Sequence, residues 1–581
     1  MKVHVRWSRP IHYALLIAAQ LPVWLNLTRA GHWDWWITFH PNADVLRRIV
    51  LAYGQFPWWN PWVRGGVPFF ADPQVAVVSP ESLLVLAFGA VVGLKLGLLL
   101  YTLIGYEGTR ALLRHLLPDD RDRATWFAVL PALLPALSGH LASGAFSYVS
   151  FGLFPWVVLF SLTWRRSRWR ALGLGVTAGL MLLTNVHYIA MMALTIAAVI
   201  VLVTFVRGIR EDRTWAHLAL AGMAVAAVAL TRVVYTVDYV LGFPQQEGGT
   251  YPIAVPLTLG LQALFAPLRG VTYTADAPVC RECLVWGEVG CYVGVPALVA
   301  ALVGLRQPGR WRVRWWHVIV PVLLILAWNN RDPWWPSTWL WHVQPWRSLM
   351  IVTRWSIFAT YFLLVATVAG AAALLRSRRR WVRLAGWGLG VLIVLDLGAH
   401  VGLLWREVAW RDPPPWSAAD DPPAAVHVAE NEFWPAFRRN EDALGVELSL
   451  LRYENRTARR ARGDPGYAGE FVGRRPVTVE RWSPNAIRLT TGPGDVVTAN
   501  INPGSYWLVQ GARTHAAHRP VEPVWPFQVR ADGEGGVDLR VRPPYLGILL
   551  ALQGLFAAAT VVVLAILGRR PGRGSDACSA E

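Results

Sequence analysis

Charge is what this chain has least of. Of its 581 residues, 16% are Asp, Glu, Lys or Arg, where a soluble domain carries about a quarter. With 54% hydrophobic residues and a mean hydropathy of +0.35, the composition excludes both a soluble globular chain and a disordered one. Lysine is nearly missing, at Lys2 and Lys95 only, so the net charge of +18 is almost all arginine. Those arginines cluster at the ends of apolar runs rather than on one face, which argues against nucleic acid as a partner. Four cysteines are too few for a disulfide framework. Cys280 and Cys283 form a CxxC with Cys291 nearby, but a fourth local ligand and a thioredoxin-like βαβ pattern are lacking. A local disulfide fits better than zinc or redox chemistry; Cys578 lies in a polar tail. No glycine-rich loop follows a strand pattern, which removes a soluble nucleotide-sugar site. No internal repeat relates residues 1–235 to 290–404, which counts against a transporter built of two similar halves.

What the chain does have is long apolar runs. They fall near 11–28, 82–104, 125–143, 146–163, 171–185, 187–206, 215–234, 291–305, 315–328, 355–375, 384–404 and 546–568. A membrane span needs about 20 apolar residues, so the sequence predicts about twelve spans. The first run follows Lys2, Arg6 and Arg9 with no small-residue cleavage site, and reads as a signal anchor. With the N-terminus inside, every arginine cluster between spans falls on the cytoplasmic side, from Arg110–Arg123 to Arg376–Arg383, and so does the C-terminus. The expected division is a membrane module over 1–404, a water-exposed outer domain over 405–545, a closing span over 546–568 and a cytoplasmic tail over 569–581. From about residue 476 the outer domain alternates in strand fashion, as at Val477 and Val479, Ile487 and Leu489, and Val537, Leu539 and Val541. Gly492-Pro493-Gly494 and the glycines of 533–536 supply turns, so a small β-sandwich is expected inside an α+β domain. Thirty-three tryptophans read mostly as an aromatic belt at the membrane interface, Trp33, Trp35, Trp36, Trp334, Trp335, Trp339 and Trp341 among them.

The first outer loop, 29–81, is too rich in fixed turns to be a tether. A helix-like stretch, Ala43–Ala52, is followed by Gly54-Gln55-Phe56-Pro57-Trp58-Trp59-Asn60-Pro61, Gly65-Gly66-Val67-Pro68 and Asp72-Pro73-Gln74. Glycine and proline at that density fix backbone shape, the mark of a site held on a scaffold. Here the chain resembles the bacterial YfhO-like membrane proteins, within the GT-C glycosyltransferase superfamily. The resemblance rests on Asp34, Pro41, the Gly54-x-x-Pro57-x-Trp59-Asn60-Pro61 block, Gly66-x-Pro68 and Asp72-Pro73-Gln74. Ser138-Gly139-His140, Asn185-Val186-His187, Glu288-x-x-Cys291-Tyr292-Val293-Gly294, the stretch Pro345–Arg354 and Gly504-Ser505-Tyr506-Trp507 extend it along the chain. Trp33 stands where the family places a glycine, and one of its two arginines near Arg354 is replaced by an apolar residue.

The resemblance implies a GT-C-like helical fold and an enzyme of the bacterial plasma membrane. It would move a sugar from a polyprenyl-phosphate donor to a glycan or lipid acceptor on the outer face, in envelope glycan or glycolipid synthesis. An acceptor hydroxyl needs a base to take its proton; Asp34 is the candidate, with Asp44 in reserve and helix capping as the competing explanation for each. The leaving phosphate needs positive charge. Arg354, Arg347 and Arg232 are candidates, and a divalent metal ion is an alternative source; no cofactor is named by the sequence itself. His187 and Glu288 are further candidate substrate groups, since ionisable residues in or beside spans are costly to keep. Pro57, Trp59, Asn60, Gly66, Pro68 and Gln74 form the expected active-site loop. The competing classes are a flippase for lipid-linked glycans and a non-catalytic envelope-assembly protein.

Overall fold

A computed structural model describes residues 5–31, 34–61, 67–184, 188–242, 257–265, 290–306, 316–328, 335–336, 339, 352–412, 471–472, 475, 477–499, 506–514, 527–531 and 536–569. It is a mainly helical, multi-pass membrane protein with a small β domain inserted before its last helix.

Each of the twelve apolar runs coincides with helix, but among the described residues only seven helices are long and apolar enough to cross a membrane. They are Ala90–Leu116, Phe146–Arg166, Ile189–Val206, Arg213–Val240, Trp355–Arg376, Arg380–Arg406 and Leu546–Leu567; an eighth is possible if Pro118–Trp126 and Val129–Ala142, bent by 57°, count as one. The shortfall has local causes. The run at 125–143 is broken into short helices, one carrying Pro131 and the next starting at Pro135. The run at 82–104 breaks at Gly89, whose φ of +95° suits glycine. Pro80–Phe88 then folds back on Ala90–Leu116, and a Cβ at Gly93 would strike the backbone of Val85.

Arginines at the helix ends are held by carboxylates and a carbonyl. Arg9 and Arg110 share Glu107, while Arg123 and Arg376 share Asp120. Arg165 pairs with Glu211, and Arg168 donates to the carbonyl of Leu564 near the end of the last helix. Arg123 and Arg376, far apart in the chain, thus meet at one carboxylate. The centre is the helix Trp355–Arg376, buried along most of its length, with Phe358 and Phe362 packed edge-on against Phe154.

Among the described residues, eight strands form two four-stranded antiparallel sheets, with orders β1-β4-β7-β6 and β2-β3-β8-β5. They span Phe471–Val472 (β1), Thr478–Ser483 (β2), Ala486–Thr490 (β3), Val496–Ala499 (β4), Trp507–Gln510 (β5), Ala512–Thr514 (β6), Phe527–Ala531 (β7) and Gly536–Val541 (β8). Alternation does its work here: Ile487, Leu489, Val537 and Leu539 of one sheet and Val497 and Val529 of the other are buried. Gly511, at φ +70°, turns β5 into β6 and so joins the two sheets.

The tryptophans divide. Trp7, Trp169, Trp215, Trp339 and Trp381 are exposed, as a belt requires, but Trp35, Trp59, Trp164 and Trp405 are fully buried. Trp35 is core rather than interface: its indole N–H donates to the carbonyl of Leu141 at 2.8 Å.

Candidate active site

The first loop turns helical at Asp34. Asp34 leads into a π-helical turn, Trp35–Phe39, followed by the α-helix His40–Arg47 and a second π turn, Arg48–Ala52. Such wide turns are rare and concentrate at functional sites. The half-buried Asp34 has helical backbone angles, φ −57° and ψ −28°, and its carboxylate does not cap this helix. The capping explanation for Asp34 therefore does not apply. Its main chain rests on Gly144, which has φ +104°; a Cβ there would collide with the backbone nitrogens of Trp35 and Asp34. Trp35 locks the same contact through Leu141 and through Phe146, whose ring centroid is 5.3 Å away.

Asp44 lies inside the helix His40–Arg47 rather than at its start, so capping does not explain it either. Its Oδ2 is 3.2 Å from Nε2 of buried His40. Burial lowers the pKa of His40, and Asp44 partly opposes that shift.

Arg354 ends a 3-10 turn directly before the helix Trp355–Arg376. It is 7% exposed, and its guanidinium sits over the Tyr148 ring, 5.4 Å from the centroid. The same ring stacks on His140, 4.6 Å away and 14° from parallel. One turn, residues 138–148, thus touches the Asp34 backbone through Gly144 and Arg354 through Tyr148. It contains the Ser138-Gly139-His140 motif.

Arg232 has another position. Fully buried in the helix Asp212–Gly242, its Nη2 donates to the carbonyls of Asp72 and Val75 at 2.5 and 2.7 Å, and its guanidinium lies over Phe70. It clamps the loop. Asp72 in turn accepts from the N–H of Gln74 at 2.8 Å, the Asx turn that its sequence setting suggests. Burial raises the pKa of its carboxyl, opposed by that N–H and by Arg232.

The motif Gly54–Asn60 carries the β domain. Gln55 Nε2 donates to Ser483 Oγ at 3.1 Å, and the Asn485 side chain donates to the carbonyl of Phe56 at 2.8 Å. Trp59 meets Trp507 edge-on at 5.2 Å, and Tyr53 meets Trp482 at 5.9 Å. Pro57 is buried, Asn60 pairs with Val67 as a short antiparallel bridge, and the carbonyl of Pro68 accepts from Ala71 and Asp72. Arg347, His187, Glu288, Gly66, Cys280 and Cys283 lie outside the described residues. Of the motif after Glu288, Tyr292 donates to Asp396 at 2.9 Å and Cys291 is a buried free thiol.

One carboxylate escaped the sequence reading. Glu81 is 2% exposed and lines a small cleft with Phe39, Asn42, Gln74, Phe146 and Thr184. Burial pushes its pKa up to about 7, against hydrogen bonds from Tyr101, its own N–H and Ser79. In the sequence it is a Ser-Pro-Glu at a helix start, which looks like capping; Ser79 does cap the helix. Among the described residues no group of three or more His, Cys, Asp or Glu converges to hold a metal ion.

No family profile matches the chain, and no curated protein matches it in sequence. Among solved structures it is similar to ArnT from Cupriavidus metallidurans bound to undecaprenyl phosphate, at 13% identity and a TM-score of 0.37, over 68% of this chain and 74% of that one. At that score the likeness bears no functional weight.

Proposed function

We propose that the chain is a GT-C-type, YfhO-like glycosyltransferase of the bacterial plasma membrane. It would take a sugar from a polyprenyl-phosphate donor and deliver it to an outer-face glycan or lipid acceptor. The observation that carries this reading is the pairing of Asp34 and Arg354 on one turn. A half-buried carboxylate that does not cap its helix and a nearly buried guanidinium, far apart in sequence, pack on opposite parts of residues 138–148.

In the reaction, the acceptor hydroxyl gives its proton to Asp34 as its oxygen bonds to the anomeric carbon. The bond from that carbon to the phosphate oxygen breaks, and its electron pair leaves with the lipid phosphate. Arg354, held in a low-dielectric setting against Tyr148, stabilises that developing charge. The arginine-rich helix ends would then be cytoplasmic, and the first loop and β domain would face outward.

Reconstituted protein and radiolabelled polyprenyl-phosphate sugars test this directly, with native lipid extract as acceptor source. Wild type should transfer label, and Asp34→Asn should lower transfer by at least about 100-fold, in keeping with loss of a general base. Arg354→Lys should lower it by at least about tenfold, because ammonium lacks the planar fork. Transfer unchanged in a folded Asp34→Asn variant would remove Asp34 from the chemistry.

A further inference from the structure

Glu81 is an expensive residue to keep. A carboxylate with no access to water demands compensation, yet its partners are neutral: the Tyr101 hydroxyl at 2.7 Å, its own N–H and Ser79. No arginine or lysine is among the causes of its shifted titration. The chain also makes room for it. Gly97 stands opposite, where a Cβ would come 2.9 Å from the Cβ of Glu81.

The cleft in front of it has two kinds of wall. Phe39 and Phe146, with ring centroids 6.1 Å apart and inclined at 54°, present aromatic surface. Asn42, Gln74 and Glu81 also line the cleft, and Thr184 is joined to Glu81 through the Tyr101 hydroxyl. Apolar faces beside a few convergent polar groups are the usual make-up of a small-molecule site. The polar groups here are neutral apart from one carboxyl. A ring with C–H faces and several hydroxyls matches both walls, whereas an anionic ring would face Glu81 with no cation to offset it.

We propose that the cleft between Phe39, Phe146 and Glu81 binds a neutral polyhydroxylated ring, with Glu81 accepting a hydrogen bond from one of its hydroxyls. Under the glycosyltransferase reading this is the seat of a transferred or accepting sugar. Binding itself is independent of turnover: a chain that binds such a ring but transfers nothing loses the enzyme reading and keeps this one.

Saturation-transfer NMR on the full chain in lipid nanodiscs, free of glycoside detergents, reads the interaction. The probes are methyl glycosides of neutral hexoses and pentoses, with glucosamine and glucuronic acid as charged counterparts. At least one neutral methyl glycoside should give a signal in wild type, weakened about tenfold in apparent affinity by Glu81→Gln. Ala43→Leu, which adds bulk to the cleft wall from the helix His40–Arg47, should abolish it while far-ultraviolet circular dichroism stays near wild type. Absence of signal from every neutral glycoside would overturn the proposal, as would binding confined to glucosamine or glucuronic acid. A neutral-glycoside signal that survives both variants would place the ligand elsewhere and overturn it equally.

Discussion

Gly144 does for Asp34 what no other residue can. Its φ of +104° lies where side chains are strained, and a Cβ would enter the backbone of Asp34 and Trp35. Gly144→Ala should therefore cost about 1–3 kcal/mol in strain and displace the start of the first-loop helix. A shift near 1 Å in a reacting group can cost about 100-fold in rate. Transfer by this variant should fall by that order while far-ultraviolet circular dichroism stays near wild type. Glu81 gives a second prediction at this scale. Its folded-state pKa, near 7, is raised above the ordinary value of 4.5, so the folded protein holds the proton more tightly than the unfolded chain. The Glu81 contribution to stability is then fullest below pH 4.5 and declines as pH rises towards 7, by roughly 3 kcal/mol in all. Melting temperatures of wild type and Glu81→Gln in detergent isolate this contribution: wild type should lose ground relative to the variant as pH rises across that window. Asp34 could be singled out from the sequence because a recognisable motif surrounds it. Glu81 could not, because a Ser-Pro-Glu helix start has the same letters whether its carboxyl faces water or a cleft.

Elements show the same division between what spacing encodes and what packing decides. The apolar runs mark where helix forms, and strand alternation marks the sandwich down to the buried pair Ile487 and Leu489. Run length alone did not reveal how many runs cross a membrane, since Gly89, Pro131 and Pro135 divide apolar stretches without lowering their hydropathy. Glycine also governs how closely helices meet. Gly370 and Gly304 face each other across the contact of Trp355–Arg376 with Val295–Arg306: a Cβ on either would strike the opposite helix's main chain, at Ala300 and Ala366 respectively. Without a hydrophobic drive between spans in lipid, close backbone approach supplies much of the association. Gly370→Val should force the pair apart and destabilise the fold by about 1–3 kcal/mol. Because Arg354 ends the turn that leads into this helix, donor affinity should weaken along with thermal stability. A matched substitution at exposed Gly388, where a Cβ meets nothing, should change neither.

For the molecule as a whole, the first loop joins three bodies: the bundle below, the clamp from Arg232 and the β domain above. Residues that look in sequence like an active-site strip, Gln55, Phe56 and Trp59, are occupied with Ser483, Asn485 and Trp507. The conspicuous motif is thus a seat for the sandwich, and the candidate chemistry lies at its two flanks, Asp34 before it and the Glu81 cleft after it. Contacts between residues more than 400 positions apart leave no trace in local spacing, which is why the sequence could flag the motif without saying what it touches. Tyr235 of the helix Asp212–Gly242 strengthens the seat by donating to the carbonyl of Pro544, just before the last helix. If the sandwich holds the loop in shape, loosening the seat should impair both flanks without touching either. Asn485→Ala with Gln55→Ala removes hydrogen bonds worth about 1 kcal/mol each. The pair should raise proteolytic cleavage within the β domain and reduce both sugar transfer and methyl-glycoside binding several-fold. Cleavage that rises while transfer and binding hold steady would make the sandwich a separate passenger. A rise in cleavage together with loss of transfer and binding would make it the part that sets the loop.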